Sequence, residues 1–441
     1  MRMFFAILAC KLAYFFGHLI GHGSSLPGSI ALKMYPDILS KIKLPQYVIA
    51  VTGSNGKTST VEMITHVLTS QGKKVVTNKE GSNLEAGITA VLLYNCTFGG
   101  KMKADALVLE SDERFAKLTF RHFSPTHYVV TNLYRDQLTR NAHPEWVYEY
   151  IKDSVPNSGT LLLNADDPLI SLLGMDRENV IWFGMDKQSF STKENTGVYD
   201  DGAFCPNCKS RMKYNYRHFS HIGDYYCEKC DHKKHDTDFT VTSADLKNGI
   251  ITINGENHIK LSFKSIYNVY NILACYAACK CVGITDEIIS EEISNYVLKN
   301  GRVVEYYLGT SEGTFLISKH ENSVSYDQSL RYLVDRNEAC GVIIIVDSVS
   351  RRYSTGEVSW LWDIDFELLN APCVEHIYLL GAHAPDLETR FSYTDILPEK
   401  ISVMPDIDKA VDEIAAKKHC KLYTVTCFSD KDKFLSKTKI K

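Results

Sequence analysis

Apolar residues in this chain come in short runs parted by stretches of helical period, and that rhythm predicts most of its architecture. Residues 47–53 (YVIAVTG) form a run of strand length ending in a glycine turn, and 59–72 (STVEMITHVLTSQG) follow with helical spacing up to Gly72. Further short runs stand at 74–78, 106–110, 127–132 and 160–164. Each is separated from the next by enough chain for a crossover helix, which predicts a parallel, doubly wound α/β sheet. Residues 239–263 alternate as β-hairpins, and 266–283 (IYNVYNILACYAACKCVG) read as a helix. A new cycle at 314–318, 342–347, 376–381 and 422–427 predicts a second, smaller α/β domain.

Two segments break the rhythm. Residues 3–21 (MFFAILACKLAYFFGHLIG) are strongly apolar, yet Lys11 and His18 interrupt them. The stretch is marginal against the roughly 20 apolar residues that span a bilayer, and no small-residue cleavage site follows. Leu8, Leu12, Phe15, Phe16 and Leu19 recur at helical spacing, so they predict a packed or membrane-adjacent helix with those residues as its buried face. Between about 197 and 235 the composition turns to Cys, Tyr, His and Lys with little periodicity, the mark of an inserted module. The expected organisation is an N-terminal helical segment (1–45), a nucleotide-binding domain (46–300) carrying the insertion, and a C-terminal α/β domain (301–441).

Composition narrows the class. A chain of 441 residues exceeds one ordinary hydrophobic core. With 44% hydrophobic and 23% charged residues it is an ordinary globular chain, and a net charge of −4 offers no basic surface for nucleic acid. Nine of the 13 cysteines stand at no regular spacing, which favours reduced thiols in a cytoplasmic protein, with contact at the inner membrane face left open.

The candidate chemistry begins at residues 51–60, VTGSNGKTST. A strand delivers a glycine turn and a helix begins at Thr58 or Ser59, so the backbone of Gly53, Ser54, Asn55, Gly56, Lys57, Thr58 and Ser59 forms an anion site for ATP. Lys57 would neutralise β- and γ-phosphate charge and the Thr58 hydroxyl would ligate Mg²⁺. The strict phosphate-loop pattern is shortened here, because its first glycine falls on Val51. Glu110 closes the run at 106–110, where a carboxylate at a strand's carboxyl end can reach the same Mg²⁺. Inside the insertion, Cys205/Cys208 and Cys227/Cys230 make two C-x₂-C knuckles separated by 18 residues, the spacing of a four-thiolate structural zinc site with no open position.

Together these residues resemble the MurT family, the Mur-ligase-like subunits of lipid II isoglutaminyl synthase. The resemblance runs through residues 26–39, 51–60, 80–83, 109–113, 130–137 and 163–168, the CPNC/CEKC ribbon, and residues 267–271, 300–302 and 359–367 (SWLWDIDFE). It implies ATP-dependent phosphorylation of the α-carboxylate of D-glutamate in the lipid II stem peptide. Ammonia from a separate GatD-like glutaminase, bound as a heterodimer, then displaces the phosphate to give D-isoglutamine. Carried over by motif, Asn164, Asp166 and Asn271 lie near the nucleotide, while Asn132 and Arg135 face the cleft. Glu357 stands where the family has an aspartate that completes the partner's cysteine–histidine triad. It keeps the charge and adds a methylene. The segments 139–145, 318–323 and 346–355 depart from the family pattern. Two other readings stay open: a Mur-like ligase acting on a different carboxylate or amino-acid acceptor, and a binding subunit with weakened catalysis.

Overall fold

The computed structural model describes residues 1–19, 25–78, 83–136, 143–297, 303–319, 321–348 and 357–441. Of the segments singled out above, 300–302 and parts of 80–83, 130–137, 139–145, 318–323 and 346–355 lie outside the described residues. The chain divides into two compact units. The first takes in Met1–Leu133, Pro144–Thr196 and Asp200–Val297, and the second Tyr134–His143, Gly197–Tyr199 and Leu298–Lys441.

Strands of the first unit are β1 (Tyr47–Thr52), β2 (Val75–Thr77), β3 (Ala106–Glu110), β4 (His127–Val130), β5 (Thr160–Asn164), β6 (Val180–Met185), β7 (Met212–Phe219), β8 (Ile222–Cys227), β9 (Phe239–Asp245), β10 (Ile250–Ile253) and β11 (Asn257–Lys260). Its helices are α1 (Arg2–Leu19), α2 (Leu26–Met34), α3 (Lys57–Ser70), α4 (Glu85–Tyr94), α5 (Ala116–Phe120), α6 (Pro144–Lys152), α7 (Ile266–Cys281) and α8 (Asp286–Ser294). Nine strands make one sheet in the order β11-β10-β9-β6-β5-β4-β1-β3-β2. From β2 to β9 every neighbouring pair is parallel, and β9, β10 and β11 close the far edge as antiparallel hairpins.

The parallel strands are buried on both faces, which is why they read as unbroken apolar runs. Val48 and Ala50 of β1 join a core with Leu107, Leu109, Tyr128 and Val130, while Ile49 and Val51, pointing the other way, are equally buried. Because the order is β4-β1-β3, the chain leaves β1 on one side and returns on the other. The carboxyl end of β1 is therefore a topological switch point, where α/β sheets place their ligands.

Helix α1 forms as expected, but with the opposite face inward. Ala6, Ile7 and Cys10 are fully buried in the same core as the sheet, whereas Leu12, Phe15 and Phe16 are 49%, 58% and 59% exposed. Through Ala6, Ile7 and Cys10 helix α1 packs against α2 and α4. Among the described residues no helix is long and apolar enough to cross a membrane. The insertion also differs from its aperiodic reading. β7 and β8 form a separate antiparallel hairpin, with register shifts at Tyr214/Tyr216 and Arg217/Phe219 that erase the alternation.

The second unit contains β12 (Val303–Leu308), β13 (Ser311–Ser318), β14 (Cys340–Ile345), β15 (Val374–Leu380), β16 (Ile401–Met404), β17 (Leu422–Cys427) and β18 (Lys439–Ile440). Its helices are α9 (Ser323–Asp335), α10 (Ala384–Phe391), α11 (Ile407–Ala415) and α12 (Lys431–Leu435). The sheet order is β16-β15-β14-β17-β13-β12-β18, parallel from β16 to β13 and antiparallel beyond. Val342 and Ile344 face one core and Ile343 and Ile345 the other, so this sheet too is covered on both sides.

Candidate functional site

The turn after β1 is shaped by two glycines in conformations that other residues rarely adopt. Gly53 has φ +131° and Gly56 φ +83°. A side chain on Gly56 would meet Asn271 Oδ1 of α7 at 1.9 Å, so the loop and α7 touch through this point. Gly56 caps α3, which begins at Lys57, and the helix dipole is thus aimed into the turn.

Lys57 is buried, with Nζ donating to Gly53 O at 2.5 Å and pairing with Glu113 Oε2 at 2.9 Å. The Thr58 hydroxyl donates to Glu110 Oε2 at 2.7 Å. Asn78 at the end of β2 braces Glu110 in both directions, accepting its N–H and donating to its carbonyl, each at 2.8 Å. A hydroxyl and a carboxylate side by side, next to a buried ammonium, make the hard-oxygen donor set that Mg²⁺ takes, with phosphate and water filling the remaining positions. Thr58 and Glu110 are the residues that would hold it.

The far wall of the loop comes from β4 and β5. Asn132 Oδ1 accepts the Asn55 N–H at 2.8 Å and its amide donates back to Asn55 O at 3.0 Å, while Ser54 N–H donates to Asn132 O at 2.9 Å. Thr131 Oγ1 donates to Asn55 O at 2.8 Å, and Asn164 Nδ2 holds Thr131 O at 3.0 Å. The structure thus brings Gly53 to Ser59, Glu110, Asn132, Asn164 and Asn271 to one end of the sheet.

Asp166 is placed differently. Its carboxylate is fully enclosed, 2.7 Å from Lys234 Nζ, 2.6 Å from the Tyr270 hydroxyl and 2.8 Å from Met185 N–H. It therefore sits at the junction between the sheet and the cysteine-bearing hairpin. Asp167 continues that junction: it accepts Leu133 N–H at 2.9 Å and lies 3.6 Å from His221 Nε2. Burial alone pushes the His221 imidazole down, but the Asp167 carboxylate outweighs it and holds the pKa above the ordinary value.

In the hairpin, Cys205, Cys208, Cys227 and Cys230 place their sulfurs within 4.8 Å of one another. Cys205–Cys230 and Cys208–Cys227 are 3.7 and 3.4 Å apart, close to the edge of about 3.8 Å for a tetrahedron of zinc–thiolate bonds. All four are free thiols, and the donor set fits zinc. Burial pushes the Cys205 thiol up to about 12, while hydrogen bonds from Ser210 bring Cys208 down to about 6.

The remaining sequence-derived residues lie in the second unit. Arg135 pairs with Asp363 at 3.2 Å and stacks over the Tyr199 ring at 4.3 Å. Asp136, which the sequence did not single out, bonds Lys319 and accepts from Asn322 Nδ2 at 2.9 Å. Glu357 is exposed and accepts Ser359 N–H at 2.7 Å. Hydrogen bonds from Ser359 hold its carboxyl below the usual range.

A doubly wound sheet with a shortened phosphate loop, a magnesium-suited Thr–Glu pair and a second α/β unit defines a Mur-ligase-type, ATP-dependent ligase. Residues 51–279 match the Mur ligase middle domain family, and 320–430 the MurT ligase C-terminal family. The chain is 30% identical over 414 residues to lipid II isoglutaminyl synthase (glutamine-hydrolyzing) subunit MurT of Staphylococcus aureus strain COL, covering 93% of this chain and 92% of that one. Identity to the corresponding subunit of Streptococcus pneumoniae R6 is 27%, covering 92% and 90%. The fold is shared with a pseudomurein peptide ligase type C from Methanothermus fervidus (TM-score 0.69, 20% identity, 91% and 80% covered). It is shared also with the MurF ligase of Thermotoga maritima in complex with ADP (TM-score 0.62, 16% identity, 93% and 83% covered). The chain belongs to the MurT family.

Proposed function

We propose that this chain is the ligase subunit of a lipid II-amidating enzyme. The γ-phosphoryl group of ATP passes to the α-carboxylate oxygen of the stem-peptide D-glutamate, and ADP leaves. Ammonia attacks the acyl carbon, phosphate departs with that oxygen, a proton is lost, and D-isoglutamine results. Lys57 would stabilise charge on the transferring group, and Thr58 and Glu110 would hold a Mg²⁺ that supplies further charge neutralisation there, so the catalytic contribution would be chiefly positioning and electrostatics. The four cysteines hold a structural zinc. Residues 46–300 form the ATP-binding domain behind the helical segment 1–45, and residues 301–441 dock a GatD-like glutaminase that supplies ammonia.

The observation that carries this reading is the packed constellation of Lys57, Thr58, Glu110 and Glu113 at the switch point of the sheet. The test is mass spectrometry of lipid II incubated with the protein, ATP, Mg²⁺ and ammonium, which bypasses the glutaminase. The expected result is an acid-to-amide mass change on the second stem residue, absent for Thr58→Ala and Lys57→Ala. If ATP binds but lipid II is unchanged, even with a glutaminase present, the acceptor is a different carboxylate.

A further inference from the structure

Helix α1 presents an exposed aromatic face. Positions 4, 5, 8, 11, 12, 15 and 16 fall on one side of the helix by its 100° period, and Ala6, Ile7, Cys10 and Gly17 on the other. The small-residue side is the one packed on the protein. The outer side therefore presents Phe4, Phe5, Leu12, Phe15 and Phe16, each between 43% and 59% exposed. Phe98, itself 44% exposed, extends the patch with its ring 5.0 Å from that of Phe4. A contiguous aromatic surface of this kind marks a contact site.

Charge says what covers it. Residues 1–36 contain Arg2, Lys11 and Lys33 and no Asp or Glu, in a chain whose net charge is −4. Lys101 and Lys103 follow Phe98 without an acid between them. Lys11, the one cation within the aromatic stripe, bends to its edge, where Nζ reaches Tyr94 O at 2.5 Å and lies over the Tyr94 and Phe98 rings. Exposed aromatic residues on a segment that carries cations and no acids match the headgroup–acyl boundary of an anionic leaflet and its negative surface potential.

We infer that α1 is an interfacial helix that lies flat on anionic lipid through Phe4, Phe5, Leu12, Phe15 and Phe16, holding the first unit against the bilayer. At 18 residues it runs about 27 Å along the surface. The inference stands apart from the choice of acceptor above, because its test reads partition and not turnover.

The full-length protein is sedimented with vesicles of phosphatidylcholine containing about one-third phosphatidylglycerol, and with phosphatidylcholine alone. Binding to the anionic vesicles, weakened severalfold by about 0.5 M salt and reduced roughly tenfold by Phe15→Ser/Phe16→Ser at unchanged Tm, is the expected result. A Phe16→Trp variant gives an independent reading: its emission moves to the blue on vesicle addition and is quenched by brominated lipid. No sedimentation with anionic vesicles and an unmoved tryptophan overturn the inference. So does a concentration-dependent dimer that the serine variant abolishes, which assigns the face to a second copy of the chain.

Discussion

Lys57 shows how far a motif can be trusted and where contacts must take over. The turn of glycines and the lysine–threonine pair at 56–58 are local in sequence, so Lys57 and Thr58 were legible from spacing alone. Glu110 was legible as the last residue of an apolar run. Glu113 and Asn78 were not, because which carboxylate turns toward Lys57, and which amide braces Glu110, is decided only when β2, β3 and α3 pack together. Asp166 shows the converse: its motif points to the nucleotide, but its partners Lys234 and Tyr270 come from distant segments that no local pattern announces. The Lys57–Glu113 pair carries a consequence for mutagenesis. Both side chains are less than 10% exposed, so removing the lysine takes a buried positive charge away from a buried carboxylate. Lys57→Ala is expected to abolish turnover and also to cost about 3 kcal/mol of stability. Lys57→Met/Glu113→Gln should recover most of that stability and none of the activity. Chemical denaturation and amidation assays on the three proteins separate the two effects, and equal stability of both variants would mean that the pair is not electrostatically coupled.

At the scale of elements, strands buried on both faces were the easiest to read, since β1, β3, β4 and β5 are near-continuous apolar runs. Helix α1 was legible as a helix but not in orientation: apolar residues occupy both of its sides, and periodicity cannot choose between a small-residue face and an aromatic one. The cysteine knuckles were legible because their spacing is fixed by ligand geometry, while the hairpin joining them was hidden by its register shifts. That hairpin reaches further than its four cysteines. Its Tyr225 hydroxyl donates to Ser171 Oγ at 2.7 Å and its His221 faces Asp167, whose Oδ2 also accepts the N–H of Leu133, next to the loop-bracing Asn132. Zinc removal should therefore be felt at the phosphate loop. Chelation, or Cys205→Ser, is expected to lower Tm by several degrees and to weaken ADP binding about threefold to tenfold, read by calorimetric titration below the new Tm. Lower Tm with unchanged ADP affinity would confine the hairpin to a purely local role, and a metal-free protein of unchanged Tm would remove the structural-zinc assignment altogether.

For the molecule as a whole, the division into a nucleotide-binding unit and a second α/β unit makes sense only if the second has its own work. Its central strands β13, β14, β15 and β17 were legible as apolar runs; β12, β16 and β18, at or near the sheet edges and shorter or more mixed in composition, were not. Glu357 is the residue by which that unit would act on a partner. It is exposed, its carboxyl is held below the usual range by hydrogen bonds from Ser359, and it is ionised throughout the neutral range. A fixed anion of this kind suits orienting the histidine of a neighbouring chain's cysteine–histidine pair, a role in which charge and placement both matter. Glu357→Gln keeps an oxygen to accept the Ser359 N–H, so the local turn should survive while the charge is lost. In the complex with a glutaminase, the expected result is a fall of roughly a hundredfold or more in glutamine-dependent amidation, with ammonium-driven amidation changed less than about twofold. Glu357→Asp should keep most of the glutamine-dependent rate, since it preserves the charge. Loss of both activities in Glu357→Gln would place the residue in the fold of this unit, and loss of neither would move the partner's orienting acid to another position.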